Sequence, residues 1–220
     1  MRLVSIILGL FVMGCQPTEN KAALQQGEVV QEGRTQVQEG TLENGDLIFH
    51  TSRSAQSKAI QKATRSKYSH MGIVYKEGND VFVYEAVQPV KLTPLAAWIK
   101  RGLGGHYVVK RLKNSDAILD EQGIEKMKSV GERHLGKDYD LRFEWSDDKM
   151  YCSELVWKMY KEAFGIEIGG LEKIGDFDLS DGAVQKKVKE RYGAKVPKDE
   201  WVISPDRMFR STQLITVLER

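Results

Sequence analysis

The 220-residue sequence is short of several things, and each shortage excludes a class of protein. Cysteine occurs only twice, as Cys15 and Cys152, so the chain is not a disulfide-stapled scaffold: it has at most one disulfide, or two unrelated thiols. An excess of charge of one sign is also missing. Thirty-three Lys and Arg against 31 Asp and Glu leave a formal charge of +2, without the bulk attraction that drives nucleic-acid binding, and no nucleic-acid partner is expected. Neither cysteine has a second cysteine or a histidine close by in sequence, so no zinc spacing exists; no metal and no cofactor are expected. No internal repeat is visible. What remains, 41% hydrophobic and 29% charged residues, is ordinary globular usage and argues against a disordered, collagen-like or multi-span membrane chain. The length suits one well-filled domain.

The N-terminus sets Cys15 apart. Leu3 to Met13 is an apolar run preceded by Arg2 and closed by Gly14. It is too short to cross a hydrocarbon core about 30 Å thick but fits the apolar stretch of a secretory signal. Val12-Met13-Gly14-Cys15 resembles a bacterial lipobox, which implies removal of residues 1–14 and acylation of Cys15. Several acyl chains would hold the protein firmly at a bilayer. The expectation is therefore an exported, membrane-anchored lipoprotein facing the periplasm, whose membrane partner is reached through lipid. Residues 15–42, rich in Gln, Glu, Gly and Thr and without an aromatic side chain, read as a flexible tether, and residues 43–220 as the domain.

Within that domain, Gly45 and Asp46 introduce a short strand at Leu47–Phe49, and Ser54–Ala63 reads as a helix. Met71–Tyr75 and Val81–Ala86 flank Lys76-Glu77-Gly78-Asn79 as a hairpin. Pro94 suits the first turn of a helix through Lys100, and His106–Leu112 is a strand. Asp116 is expected to cap one helix reaching Leu135 before Gly136, and Met150–Phe164 is a second. A basic helix near Val184–Tyr192, a helical turn at Pro205–Phe209 and a strand at Leu214–Leu218 complete the chain. Helices and antiparallel strands segregate, so the fold class is α+β.

Cys152 falls in the first turn of its helix, on the face shared with Leu155, Val156, Met159 and Ala163. One reading is a small buried hydrophobe. The other is a nucleophile, its thiol facing the positive end of the helix and amides that can hold an oxyanion. A nucleophile needs a base. His134 sits in the last turn of a helix, where a cation suits the carbonyl end; His50 and His106 read as strand-end surface residues. His70 opens the hairpin whose second strand carries Glu85 on the apolar side with Val81 and Val83. Pairing Tyr75 with Asp80 sets His70 directly opposite Glu85. A register shifted by two makes them diagonal neighbours on the same face. Such a pair is either an ordinary cross-strand ion pair or the base half of a nucleophilic triad.

Asn44-Gly45-Asp46-Leu47-Ile48-Phe49, Tyr68-Ser69-His70-Met71-Gly72-Ile73-Val74, Val83-Tyr84-Glu85-Ala86, Gly136-Lys137-Asp138-Tyr139-Asp140 and Tyr151-Cys152-Ser153-Glu154-Leu155-Val156 together resemble a known family. It is the circularly permuted NlpC/P60 group of papain-like cysteine hydrolases, in particular its YiiX/YaeF-like branch. The resemblance implies a permuted papain-like fold in which an antiparallel sheet packs on helices, the nucleophile helix among them. It implies Cys152 as nucleophile, His70 as general base and Glu85 as the residue that orients the imidazole. Tyr139, at the spacing of a tyrosine that assists the oxyanion in non-permuted relatives, is either that residue or a packing aromatic. The implied activity is hydrolysis of an amide or ester through a thioester, on a lipid-linked or N-acyl amino-acid substrate. A peptidoglycan-peptide amidase and a non-catalytic lipid-binding lipoprotein are the alternatives. The basic stretch Lys186–Lys198 is either a solvated helix face or a contact for anionic headgroups or wall polymers.

Overall fold

The computed structural model describes residues 42–220; the signal segment, Cys15 and nearly all of the tether lie outside them. A six-stranded sheet organises the chain. Its strands are β1 (Leu47–Ser52), β2 (His70–Glu77), β3 (Asp80–Glu85), β4 (Lys91–Pro94), β5 (Gly102–Leu112) and β10 (Leu214–Glu219), in the spatial order β10-β5-β1-β2-β3-β4. Every neighbouring pair is antiparallel. Between them run α1 (Ala55–Thr64), α2 (Leu95–Arg101), α3 (Ser115–Ile118), α4 (Glu121–His134), α5 (Cys152–Phe164), α6 (Gly182–Tyr192) and α7 (Pro205–Phe209). Two small two-stranded ladders pair β6 (Asp138–Tyr139) with β7 (Lys149–Met150) and β8 (Glu172–Lys173) with β9 (Trp201–Val202). This is the expected α+β architecture.

The period-two alternation of the central strands divides the interior. Leu47, Phe49, Met71, Ile73 and Val108 pack in one core with Leu155, Val156 and Met159 of α5 and Met127 and Val130 of α4. Ile48, Val74, Val83 and Val109 belong to a second core with Leu95, Trp98 and Ile99 of α2. His50, His70 and Glu85 share the parity of this second set and extend its face. Trp98 has no exposed surface. Burial of a side chain that size contributes about 3 kcal/mol and closes this face to water.

Some local expectations shift. Glu77 pairs with Asp80 across Gly78-Asn79, so Tyr75 meets Phe82, not Asp80, and His70 and Glu85 are diagonal neighbours. Pro94 ends β4 and precedes α2, so it lies outside the helix. The single helix expected after Asp116 is two. The chain turns after Ile118, and Asp120 caps α4 by accepting from the Gly123 amide at 2.8 Å. A Cβ at Gly123 would stand 2.0 Å from the Ile118 carbonyl oxygen, so only glycine permits that corner. Gly72 has the same role beside the histidine: a Cβ there would stand 2.4 Å from the Tyr84 carbonyl oxygen and from Val83.

Candidate active site

Cys152 begins α5, and its surroundings are fixed by bonds on both sides. The Tyr151 amide donates to the Glu154 carboxylate (3.3 Å), the Ser153 hydroxyl donates to the Ile203 carbonyl (2.7 Å), and the Ile203 amide donates to the Tyr151 hydroxyl oxygen (3.0 Å). The helix start, with its first-turn N–H groups and positive dipole end, is thereby pinned around a cysteine only 2% exposed.

His70 enters from the first position of β2. Its Nε2 meets Glu85 Oε2 at 2.6 Å, which leaves Nδ1 as the nitrogen that can serve the cysteine sulfur. Glu85 is fully buried, and its other oxygen accepts from the Thr93 hydroxyl (2.5 Å) and from the Arg101 guanidinium. Burial by itself would favour the neutral form of both groups. In His70 hydrogen bonding to Cys152 and Glu85, with their charges, outweighs it and raises the pKa to about 9. In Glu85 the His70, Arg101 and Thr93 interactions outweigh it and lower the pKa to about 2. At neutral pH both are therefore charged, an ion pair aimed at the sulfur.

A second histidine stands beside the first. The sequence places His50 on the surface; in the structure it is 1% exposed. Its ring stacks on Trp98 with centroids 3.9 Å apart and lies 5.2 Å from the His70 ring. Burial first, then the positive charges of His70 and Arg101, lower its pKa to about 3, so it is neutral. The polar residues after it, Thr51 and Ser52, gave no hint of this cover, which arrives from α2 almost fifty positions later. His134 is buried against Glu162 (3.2 Å) at the end of α4, and His106 meets Glu219 (3.2 Å) at the surface; neither is near Cys152 in these contacts.

Tyr139 lies on β6, opposite Met150, two positions before Cys152. Its backbone amide donates to Gln88 Oε1 (2.7 Å), and its hydroxyl oxygen accepts from Gln56 Nε2 of α1 (2.7 Å). Burial and then the Cys152 charge push its pKa well above the usual range, so the phenol keeps its proton. Four neighbours of the site, Gln56, Gln88, Thr93 and Arg101, were not found by sequence reasoning. Only Thr93 and Arg101, flanking a proline and a helix close to Glu85, left even a proximity signal.

An apolar cavity of about 120 Å³ opens beside the cysteine. Cys152 and Tyr151 form part of its wall. Ala59 and Ala63 of α1, Val184 and Val188 of α6 and Ile203 supply much of the rest. The basic stretch contributes Lys187 and Arg191 to this lining.

A sequence profile of permuted papain-like amidase enzymes, YaeF/YiiX, matches residues 41–218. The uncharacterized protein YiiX of Escherichia coli (strain K12) is 48% identical over 175 residues, covering 80% of this chain and 85% of that one. The crystal structure of the metalloprotein yiiX from Escherichia coli O157:H7 superposes with a TM-score of 0.78 at 47% identity, over 82% of this chain and 98% of that one. The donor set here does not fit a metal. Among the described residues no three His, Cys, Asp or Glu side chains are grouped so as to hold one, and Glu85 already accepts from His70, Thr93 and Arg101.

Proposed function

The chain belongs to the permuted papain-like amidase family, YaeF/YiiX, and from that premise we propose that it is a cysteine hydrolase of acylated substrates, a lipid-linked or N-acyl amino-acid amide or the corresponding ester. The observation that carries the substrate class is the apolar cavity that shares Cys152 with the His70–Glu85 pair. An acyl chain seated there leaves its carbonyl at the sulfur. A peptide stem of the cell wall, being polar, gains nothing from such walls.

In this reading the Cys152 sulfur attacks the carbonyl carbon. The new C–S bond pushes the carbonyl electrons onto oxygen, where the first-turn amides of α5 and the Tyr139 hydroxyl receive the charge. Collapse breaks the C–N or C–O bond, and His70 gives its proton to the departing amine or alcohol. Water then loses a proton to His70, attacks the thioester and releases the carboxylic acid, which returns the thiolate and imidazolium. Glu85 keeps the ring oriented throughout and stabilises the imidazolium each time it forms. Residues 43–220 would form the catalytic domain. The proposed signal (residues 1–14), acylated Cys15 and tether would keep it at the periplasmic face of a membrane, where acylated substrates are found.

Chain-length preference tests the substrate class. The expected result is a kcat/KM for p-nitrophenyl octanoate at least about tenfold above that for p-nitrophenyl acetate, since each buried methylene is worth about 0.8 kcal/mol. Ala63→Trp, which fills the cavity, should remove that preference and leave acetate hydrolysis unchanged. A preference for acetate, or an octanoate preference that survives Ala63→Trp, would count against an acyl-binding cavity.

A further inference from the structure

The hydroxyl of Tyr139 has one proton to give, and the direction of that proton is decided by its neighbours. A phenol oxygen that accepts a hydrogen bond from one side must donate to another side. Here the accepted bond comes from Gln56 Nε2 at 2.7 Å. The phenol is kept protonated by burial and then by negative charge, of which Cys152 contributes most and Asp140 less. The backbone of Tyr139 is held independently, by the Gln88 side chain at 2.7 Å and by the ladder to Met150. The backbone of Tyr139 is thus held without Gln56, whose bond acts on the hydroxyl.

Gln56 is itself well anchored. It occupies the first turn of α1, whose N-cap Ser54 accepts from the Ser57 amide at 3.0 Å. The Ser57 hydroxyl meets the Ser69 hydroxyl at 2.5 Å, one residue before His70. The residue preceding the strand that carries the base and the helix that carries the amide are thus tied together by a buried contact.

We propose that Gln56 is a positioning residue: by donating to the Tyr139 oxygen it turns the phenolic proton toward the oxyanion that forms on the substrate bound to Cys152. This rests on the hydrolase reading above. A glutamine that only fills space would tolerate glutamate, its near-isostere, better than alanine. A glutamine that aims a proton would not. Carboxylate at this position can only accept, so the phenol would donate backward to it and the oxyanion would lose its partner.

The test is the single-turnover release of p-nitrophenol from p-nitrophenyl octanoate by the full domain. Gln56→Glu is expected to slow it about tenfold or more, and more than Gln56→Ala, with KM unchanged. Alkylation of Cys152 by iodoacetamide, which forms no oxyanion, should keep its wild-type rate in Gln56→Ala, and thermal melts at the wild-type temperature report that both variants are folded. In a Tyr139→Phe background neither substitution should have a further effect. Gln56→Glu at least as active as Gln56→Ala, or an undiminished loss in the Tyr139→Phe background, overturns the Gln56 assignment and leaves the hydrolase reading standing. No turnover by the wild type, with alkylation indifferent to His70, overturns both.

Discussion

His70→Ala is expected to slow iodoacetamide alkylation of Cys152 at pH 7 by roughly tenfold and ester turnover by about 10³-fold. The two losses differ because they have different causes. The His70 imidazolium, held protonated up to about pH 9, places a positive charge beside the sulfur that attacks. Turnover suffers in addition because no group is left to protonate the leaving amine or alcohol and to activate water. Wild-type alkylation should persist through neutral pH and change as the medium approaches pH 9. Stopped-flow alkylation across that range is the measurement. A rate that is equal in wild type and His70→Ala would contradict a working pair.

Glu85→Gln should cost stability as well as activity, about 3 kcal/mol and roughly 6 to 12 °C in Tm. The carboxylate accepts from His70, Thr93 and Arg101 with no exposed surface of its own. An amide of the same shape must turn its NH2 toward one of those donors, and it leaves a cation without its counter-charge in a dry site. The pH dependence follows from the two shifts. His70 has a folded pKa of about 9, above its unfolded 6.5, so its contribution is fully present below pH 6.5 and is lost as pH rises through 9. Glu85 has a folded pKa of about 2, below its unfolded 4.5, so its contribution is present above pH 4.5 and is lost as pH falls through 2. The stability gap between wild type and Glu85→Gln should therefore be widest between pH 4.5 and 6.5 and narrow toward pH 9. Thermal melts at pH 6 and pH 9 decide it; a gap that widens with alkali would show that the ion pair is not its source.

The features legible in the sequence were those written in local periodicity. The alternation in Met71–Tyr75 and Val81–Glu85 locates the hairpin and puts His70 and Glu85 on one face, whether Tyr75 pairs with Asp80 or the register is shifted by two. The tight turn at Gly78-Asn79 then selected the diagonal one. The apolar face of Leu155, Val156 and Met159 placed Cys152 at a buried helix start. Features made by distant chain segments were not legible. His50 looks like a surface residue until Trp98 lies over it, and nothing in the sequence joins Gln56 to Tyr139 across 83 positions. The break before α4 was missed because Asp116 and Asp120 are equally good caps by composition. The close approach of Gly123 to the Ile118 carbonyl, a local contact that exists only once the corner has formed, chooses Asp120. β4 is not legible because its first three residues run straight into Pro94, which reads as a helix start.

In the proposed mechanism Cys152 carries the acyl group during turnover. Mixing the protein with excess p-nitrophenyl octanoate, quenching in acid within the first turnovers and measuring intact mass should reveal a single added octanoyl group. Peptide mapping should place it on Cys152, hydroxylamine should release it, and Cys152→Ala should neither acquire the group nor turn over the ester. Turnover by wild type with no adduct at Cys152, or turnover retained in Cys152→Ala, would show that Cys152 is not the nucleophile.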